Sequence, residues 1–487
     1  MNRLTKIMQW THKILGTLLS IFFLAWFLSG LVMIYHTFPR VRPADLRDKM
    51  DLLSEQSLPS IASIEQRLGA DEPLRNLSLN SYLGQTRFQL RSNSKNQLIP
   101  TDTAAQLPTV DWPYIQSVVA RWNNTTVAQV DTLYSLDQWI PFGRLKKEFP
   151  IYKFHFADGE KHQLYISSKS GEVLQYTSKE SRFWAWIGAI PHWIYFTALR
   201  QDSKKWSDLV IWLSGIGCIM CLAGFYMGIR ALVLARRRHT ISPYKKFWYK
   251  WHYLSGLVFG LPALTFCFSG MMSLSSVQEW GIKPKLDFSP TQELQKMALS
   301  PADYPLDYRE AIKAYPKQIR QMEWGSFGDI PFYKIYTDEG EKVIDARDQQ
   351  NVRPLNLTSD EVVAILSRLH KEHPIHIEQL NAYDTYYISR KRRLELPVWK
   401  VTIDDVDHSS YYINPRTGQC RYVNTPSRWD HWTYSAFHNL SFRVLTNRPL
   451  LWSVVMWGVL LGGTFVSLSG VWLAIQYVCR LCKKKKS

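Results

Sequence analysis

Four long runs of apolar residues occur along the chain, and two long stretches of mixed polarity separate the first from the second and the third from the fourth. Each run contains about 20 residues or more, which is enough for a helix to cross the ~30 Å hydrocarbon core of a bilayer. The pattern therefore predicts a membrane protein with four transmembrane helices. The runs are approximately Ile14–Tyr35, Leu209–Leu232, Leu254–Leu274 and Leu451–Val478.

The two mixed stretches predict small α+β domains outside the bilayer. Leu79–Arg91 alternates between apolar and polar residues, which predicts a strand, and Trp112–Trp122 has the spacing of an amphipathic helix. Tyr152–Tyr176 contains turn signals at Asp158-Gly159 and Ser170-Gly171. These signals predict a hairpin.

Residues in the first half of the chain recur in the second half at a nearly constant offset. The offset in residue number is 240 at the start of each half, 247 in the mixed stretches and 246 near the second and fourth apolar runs. The recurrence predicts a two-fold internal repeat of helix, domain and helix, related by an axis along the membrane normal. The clearest matches are His12 with His252, Gly16 with Gly256, Ser29-Gly30 with Ser269-Gly270, Glu148–Lys153 with Glu395–Lys400, and His192 with His438.

The repeat arranges four histidines near the membrane into two pairs. The first pair, His12 and His252, lies at the start of the first and third runs, and the second pair, His192 and His438, precedes the second and fourth runs. Facing imidazoles across the axis of a helix bundle suit bis-histidine haem. Another metal would favour carboxylate or thiolate ligands, and a proton relay would need Asp or Glu inside the runs. The repeat supplies neither.

Four glycines lie on the helix faces that carry the first pair. Gly16 and Gly256 follow His12 and His252 by four residues, and Gly30 and Gly270 follow them by eighteen, or five helical turns. Glycine at these positions would leave room for a flat cofactor on one helix face. The alternative interpretation is that the glycines permit close helix packing.

The net charge of +18 is concentrated on one side of the predicted bundle. By the positive-inside rule, that side and both termini are cytoplasmic, and the two long stretches lie outside. This distribution indicates contact with lipid rather than with nucleic acid. Of the six cysteines, Cys420 alone falls in a long stretch, which excludes a disulfide framework there. The basic residues are Arg3 and Lys6, then Arg236 to Arg238 with Lys245 and Lys246, then Lys483 to Lys486.

Several motifs resemble one known family. They are YDTYY at 383–387, LPVWK at 396–400, YYINPRTG at 411–418, and the stretch from Arg428 to Trp452 that contains His438 and ends in RPLLW. With Trp10 to Gly16 and Trp251 to Gly256, they resemble the bacterial PepSY-associated transmembrane proteins. That family includes iron-regulated inner-membrane proteins and ferric-siderophore reductases. The similarity covers essentially the whole chain.

The resemblance implies a four-helix inner-membrane protein with two periplasmic α+β PepSY-like domains. In the reductase members, histidines hold two b haems, and electrons pass from the cytoplasmic side to a ferric siderophore or other ferric chelate. No flavin- or nicotinamide-binding motif is present, so the electron donor would be a separate cytoplasmic protein or a quinol. The ligands of the haem iron would be His12, His252, His192 and His438.

A second function stays open at this point. PepSY domains could make the protein a non-enzymatic module that binds or regulates a periplasmic peptidase or another partner. The predicted boundaries are transmembrane helix 1 at 1–37, PepSY-like domain 1 at 38–190, a pre-helix and helix 2 at 191–235, a basic cytoplasmic loop at 236–249, helix 3 at 250–275, PepSY-like domain 2 at 276–430, and a pre-helix, helix 4 and basic tail at 431–487.

Overall fold

The computed structural model describes residues 2–53, 58–68, 77–91, 96–102, 105–297, 300 and 303–484. Within these residues, four helices are long and apolar enough to cross a membrane, namely α1, α8, α9 and α15. The helices are α1 (Arg3–Met33), α2 (Pro43–Arg47), α3 (Ile61–Leu68), α4 (Trp112–Trp122), α5 (Lys179–Ile187), α6 (Ala189–Trp193), α7 (Thr197–Arg200), α8 (Ser203–Arg237), α9 (Phe247–Met272), α10 (Pro290–Lys296), α11 (Tyr308–Lys313), α12 (Ser359–Leu369), α13 (Thr425–Asp430), α14 (Arg443–Thr446) and α15 (Pro449–Lys484).

The four long helices form a bundle in which α1 and α9 each pack against both α8 and α15. All four begin before the predicted apolar runs because hydrogen bonding includes polar residues of the first turns, and α8 and α15 also end beyond their runs. The side chain of Asn2 caps the start of α1, and Asp202 caps α8. The end of the bundle where α1 and α9 finish is called the sheet end, and the opposite one the terminal end.

The long stretches fold into three antiparallel sheets. Two have four strands each, in the orders β4-β5-β6-β7 and β12-β13-β14-β15, and the third has the order β11-β10-β9-β8-β1-β2-β3. The strands are β1 (Leu77–Tyr82), β2 (Gln85–Arg91), β3 (Asn96–Pro100), β4 (Val127–Leu133), β5 (Ile151–Phe156), β6 (Gln163–Ser167), β7 (Val173–Thr177), β8 (Ile319–Phe327), β9 (Ile330–Thr337), β10 (Gly340–Asp345), β11 (Arg353–Pro354), β12 (Ile375–Leu380), β13 (Val398–Ile403), β14 (Ser410–Ile413) and β15 (Cys420–Val423).

One amphipathic helix covers each four-stranded sheet. Helix α4 buries Ile115, Val118, Val119 and Trp122 against side chains of β5 and β6, and α12 covers the other sheet in the same way. Residues at spacings of three and four share a helix face, so this packing follows from the sequence pattern. Burying each aliphatic side chain stabilises the fold by roughly 1.5–3 kcal/mol.

Corresponding elements in the two halves begin at the offsets seen in the sequence. Helices α4 and α12 keep the offset of the mixed stretches between their first residues, and so do strands β5 and β13. Helices α7 and α14 keep the slightly smaller offset found near the second and fourth apolar runs, and so do α8 and α15.

The seven-stranded sheet joins the two long stretches, which the sequence had divided into two domains. Strand β1 pairs with β8, and Leu79 lies opposite Met322 in the register. Strands β1 to β3 come from the first stretch and β8 to β11 from the second. The domain boundaries given above stay predictions, but the two stretches share one sheet.

Two local predictions need correction, and one is confirmed. The helix over Trp112–Trp122 has the predicted bounds. The single strand over Leu79–Arg91 was wrong, because Leu83 and Gly84 both have positive φ and turn the chain between β1 and β2. The predicted hairpin at Tyr152–Tyr176 is a three-stranded meander of β5, β6 and β7.

Candidate functional site

The second histidine pair lies at the sheet end, in the connectors that lead into α8 and α15. His192 belongs to α6, and His438 follows the π-helical turn His431–Ala436. The ring centroids are 6.1 Å apart, and the ring planes are inclined by 64°. The structure therefore brings together two histidines from opposite halves of the chain.

A tryptophan near the start of each following helix holds the connector in place. Trp206 Nε1 donates to the carbonyl of Trp193 at 2.7 Å, and Trp452 Nε1 donates to the carbonyl of Asn439 at 2.9 Å. Each acceptor is the residue directly after a histidine of the second pair. Both tryptophans are nearly fully buried, so the two bonds fix the backbone beside the imidazoles.

Serine hydroxyls from α1 and α9 contact the Nδ1 atoms of the second pair. Ser29 Oγ lies 3.1 Å from His192 Nδ1, and Ser269 Oγ lies 3.1 Å from His438 Nδ1. His192 Nδ1 also lies 3.3 Å from the carbonyl of Trp26. Both imidazoles are therefore oriented through the same ring nitrogen by residues of a neighbouring long helix.

The first histidine pair lies at the terminal end and has a similar arrangement. The centroids of His12 and His252 are 6.1 Å apart, with an inclination of 41°. His12 Nδ1 lies 3.1 Å from the carbonyl of Met220, and His252 Nδ1 lies 2.8 Å from Ser469 Oγ. The partners come from α8 and α15, so all four long helices contribute to this site.

The partner atoms determine which nitrogen of each ring carries the proton. The Met220 carbonyl can only accept, so His12 Nδ1 must donate to it. The hydroxyls of Ser29, Ser269 and Ser469 each donate to a backbone carbonyl of their own helix, at 3.1, 2.6 and 2.7 Å. Their oxygens are then left to accept from Nδ1–H of the histidines. In the neutral imidazole, this leaves the lone pair on Nε2.

The Nε2 atoms are free to bind a metal. Across the described ranges, no hydrogen bond reaches Nε2 of any of the four histidines. Metal-binding histidines commonly donate the other ring N–H to a carbonyl or another polar group, which fixes the tautomer and the ring orientation. Both pairs satisfy this requirement before any ligand is considered.

Gly30 and Gly270 adjoin the second pair. A Cβ built on either glycine would lie 3.8 Å from Cε1 of His192 or His438. The sequence had placed these glycines on the faces of His12 and His252. The two glycines do share those faces, but they lie five turns further along each helix and therefore adjoin the second pair instead of the first.

Gly16 and Gly256 do not contact the first pair. A Cβ on Gly16 would approach only Met220 Sδ at 3.9 Å, and a Cβ on Gly256 would meet open space. The glycines that face the first pair come from the other two long helices. A Cβ on Gly224 would lie 2.5 Å from Cε1 of His12, and one on Gly470 would lie 3.6 Å from Cε1 of the other ring. The role of Gly16 and Gly256 in binding a cofactor stays a prediction.

A cavity of about 620 Å³ opens beside the second pair. Both imidazoles line it, together with Gly30, Gly270 and aromatic side chains that include Trp26 and Phe266. A space of this size lies within the range of small-molecule and cofactor pockets, and its lining has their usual mixture of apolar walls and few polar groups.

The donor set fits haem better than a bare metal ion. When two imidazoles bind one metal from opposite sides, their ring centres are separated by two metal–nitrogen bonds of about 2.0–2.1 Å plus the distance from nitrogen to ring centre in each ring, or about 6 Å. The ring centroids of both pairs are 6.1 Å apart. In the described part of the chain, no three His, Cys, Asp or Glu side chains form a metal-binding group. A porphyrin supplies four nitrogens of its own, so two histidines complete the coordination.

A family model described as "PepSY-associated TM region" matches residues 9–373. The chain belongs to this family. The match includes His12, His192 and His252, and it ends before His438. Membership in the PepSY-associated transmembrane family agrees with the four long helices and identifies a multi-pass membrane protein. No match to the chain was found among curated proteins.

Three histidines outside the two pairs have different surroundings. His370 is buried at the end of α12, where Nε2 lies 2.7 Å from the Tyr411 hydroxyl. His376 is exposed on β12, so the two do not share an environment. His36 stacks on Trp184 with ring centroids 4.2 Å apart.

Sequence reasoning missed the residues that orient the histidines. Ser29 and Ser269 were noticed as matching positions, but their contacts with the second pair were not predicted. Gly224 and Gly470 also matched in sequence, at the offset found near the second and fourth apolar runs. A signal was therefore present in the repeat, although it could not show which helix faces meet.

Proposed function

We propose that the protein is an inner-membrane reductase that binds two b haems and transfers electrons to a ferric chelate, such as a ferric siderophore, outside the membrane. The observation that carries the proposal is the arrangement of four histidines in two facing pairs. In each pair, Nδ1 is hydrogen-bonded and Nε2 is free. A bis-histidine haem has no open coordination site and undergoes reversible one-electron transfer.

The protein's own residues would provide the ligands and the apolar surroundings. His12 and His252 would hold one haem, and His192 and His438 the other. Phe23, Phe27 and Cys267 belong to a cluster of buried side chains from all four long helices, and they also line the cavity beside the second pair. Apolar side chains therefore surround the route between the two sites.

The two histidine pairs lie near opposite ends of the bundle, so electron transfer across the membrane would use both haem sites. Ser29, which contacts the second pair, lies on the same helix as His12 but close to its other end. At 1.5 Å per residue, the two positions are separated by about 25 Å along the helix axis. Two sites, one at each end of the bundle, would together cover most of the membrane thickness.

The distribution of basic residues supports the direction of transfer. The start of α1, the end of α15 and the loop between α8 and α9 are basic and lie at the terminal end. The positive-inside rule assigns this end to the cytoplasm, and therefore the sheets to the periplasm. The donor would be a cytoplasmic protein or a quinol. We further propose that the halves are two copies of one unit related by a pseudo-twofold axis.

Haem content tests the proposal. Purified protein should show a b-type absorption spectrum with two haems per chain. His252→Ala and His438→Ala should each lower the content to one, and the exposed His376→Ala should serve as an unaffected control. Protein without haem, made with ample iron, would contradict the reductase and favour a non-enzymatic PepSY module.

Transfer across a membrane tests the relay itself. In proteoliposomes with donor and ferric chelate on opposite sides, His438→Ala should keep a reducible first site but lose reduction of the external chelate. Reduction at the wild-type rate would show that the second pair is not on the route.

A further inference from the structure

The cavity at the second histidine pair has a positively charged rim. Arg390, Lys391 and Arg393 line it, and all three come from the loop between β12 and β13. Among the lining residues in the described part of the chain there is no Asp or Glu. The cavity therefore combines apolar walls, two neutral imidazoles and three cations from one loop.

The three cations have no acidic partner in the part of the chain that the structure describes. In the ranges that the structure describes, none of their side chains forms an ion pair or donates a hydrogen bond. Arg390 lies over the ring of Trp452 at 4.0 Å, which holds it at the cavity without neutralising its charge. Burial, followed by repulsion from Arg390 and Arg393, lowers the pKa of Lys391.

The corresponding segment of the first half does not contribute to this rim. Its cations, Arg144, Lys146 and Lys147, do not line the cavity, and Lys147 lies 3.8 Å from Glu148. The two halves supply one histidine each, but one half alone supplies the charge. Three like charges that line one apolar cavity attract an anion, so the arrangement indicates an anion in the ligand.

We propose that Arg390, Lys391 and Arg393 bind the propionate carboxylates of the haem held by His192 and His438. This assignment rests on the proposed function. Haem is an apolar plate with two carboxylates on one edge, and the cavity has apolar walls with cations at one side. Arginine and lysine form strong charge-assisted hydrogen bonds with carboxylates. The loop would thereby set which edge of the haem faces the sheets.

Loading one site with two porphyrins tests this assignment. In His252→Ala protein, only the second site should bind haem. This protein is prepared without haem and titrated with iron protoporphyrin IX or with its dimethyl ester. Both carboxylates are neutral in the ester. Absorbance of the bound haem gives the dissociation constants. The free acid should bind about tenfold or more tightly than the ester, because a hydrogen bond to a charged group contributes about a factor of ten.

Charge removal then assigns the preference to the loop. Adding Lys391→Gln and Arg393→Gln should weaken the preference for the free acid, and adding Arg390→Gln as well should abolish it, while binding of the ester stays the same. Arg392→Gln is the matched control, because Arg392 lies in the same loop but does not line the cavity. Lys146→Gln with Lys147→Gln is the control in the other half. Both controls should keep the preference.

Other outcomes would overturn the assignment in distinguishable ways. Equal binding of acid and ester before charge removal would leave the haem site intact and refute the carboxylate contact. Binding of neither would refute the proposed function as well. Ferric citrate that binds haem-loaded protein through Lys391 and Arg393, with no preference for the free acid, would assign the cations to a soluble chelate instead.

Discussion

Two hydroxyl groups orient the imidazoles of the second histidine pair. Ser29 and Ser269 occupy the same position in α1 and α9, and each reaches Nδ1 of a histidine from another segment. Groups of this kind fix the tautomer and direction of a metal ligand. Their removal should therefore weaken cofactor binding without removing the ligand itself.

We expect Ser269→Ala to lower haem affinity at the second site by about 10–100-fold, the usual effect of losing such a partner. Haem retention during dialysis against a haem-binding protein measures the effect. Ser273→Ala is the control, because Ser273 also lines the cavity but its hydroxyl bonds only to the Gly270 carbonyl. Equal haem loss in both variants would contradict the orienting role.

Two matched glycines differ in the space they leave beside the first pair. An alanine Cβ at Gly224 would lie 2.5 Å from His12, closer than real contacts, whereas at Gly470 the nearest atom would be 3.6 Å away. Alanine normally stabilises a helix interior relative to glycine by about 0.5–1 kcal/mol. Any loss of stability or of haem in Gly224→Ala would therefore arise from the clash with the His12 imidazole.

Gly224→Ala should displace His12 and reduce the haem content from two per chain to one, because overpacking of this kind typically costs about 1–3 kcal/mol. Gly470→Ala should retain both haems. Haem per chain from the absorption spectrum distinguishes the variants. The same haem content in both would show that the ring of His12 can move aside.

At the scale of elements, a short polar link holds α4 to its sheet. Asn123, the C-terminal cap of α4, donates to Asp158 at 2.9 Å, and His162 Nδ1 lies 2.5 Å from the same carboxylate. Burial raises the pKa of Asp158, but the hydrogen bonds from His162 and Asn123 outweigh it and lower the pKa from 3.8 to about 2. The link therefore depends on an ionised carboxylate between β5 and β6.

A lowered pKa in the folded state makes stability depend on pH in one direction. The contribution of Asp158 to the free energy of unfolding is present above pH 3.8 and is lost as the pH falls towards about 2. Wild type should thus have a higher unfolding temperature than Asp158→Asn near neutral pH, and the difference should shrink below about pH 4. Scanning fluorimetry across this range measures it. A difference that grows on acidification would refute the argument.

At the scale of the whole molecule, the seven-stranded sheet couples the two long stretches. Leu79 on β1 and Met322 on β8 are both fully buried and face each other in the register. Their side chains belong to one hydrophobic cluster with residues of both stretches. The stretches should therefore lose structure together rather than as independent domains.

Leu79→Ala should destabilise this core by about 2–5 kcal/mol, as expected for a buried leucine. Hydrogen exchange should become faster in β8, β9 and β10 as well as in β1 and β2, because they share a sheet. Strands β13 to β15 belong to another sheet and serve as the internal control. Faster exchange confined to β1 and β2 would show that the stretches are independent.

The sequence by itself determined the four long helices, the family and the helix at Trp112–Trp122. The helices depend on hydropathy and on the spacing of residues within a local segment, and neither requires knowledge of contacts between distant segments. The internal matches also paired His12 with His252 and His192 with His438, and the structure brings the members of each pair to 6.1 Å.

Tertiary structure alone decided which faces meet. Gly30 shares a helix face with His12 but adjoins His192, and Ser29 contacts the same imidazole, because the connector before α8 folds back onto the end of α1. The sheet that joins the two stretches also lacks a local signal. The run of basic residues at 390–393 is visible in the sequence, but only the structure shows which cavity it lines. Contacts between distant segments depend on how the helices pack and on the register of the strands, and no periodicity within one segment encodes them.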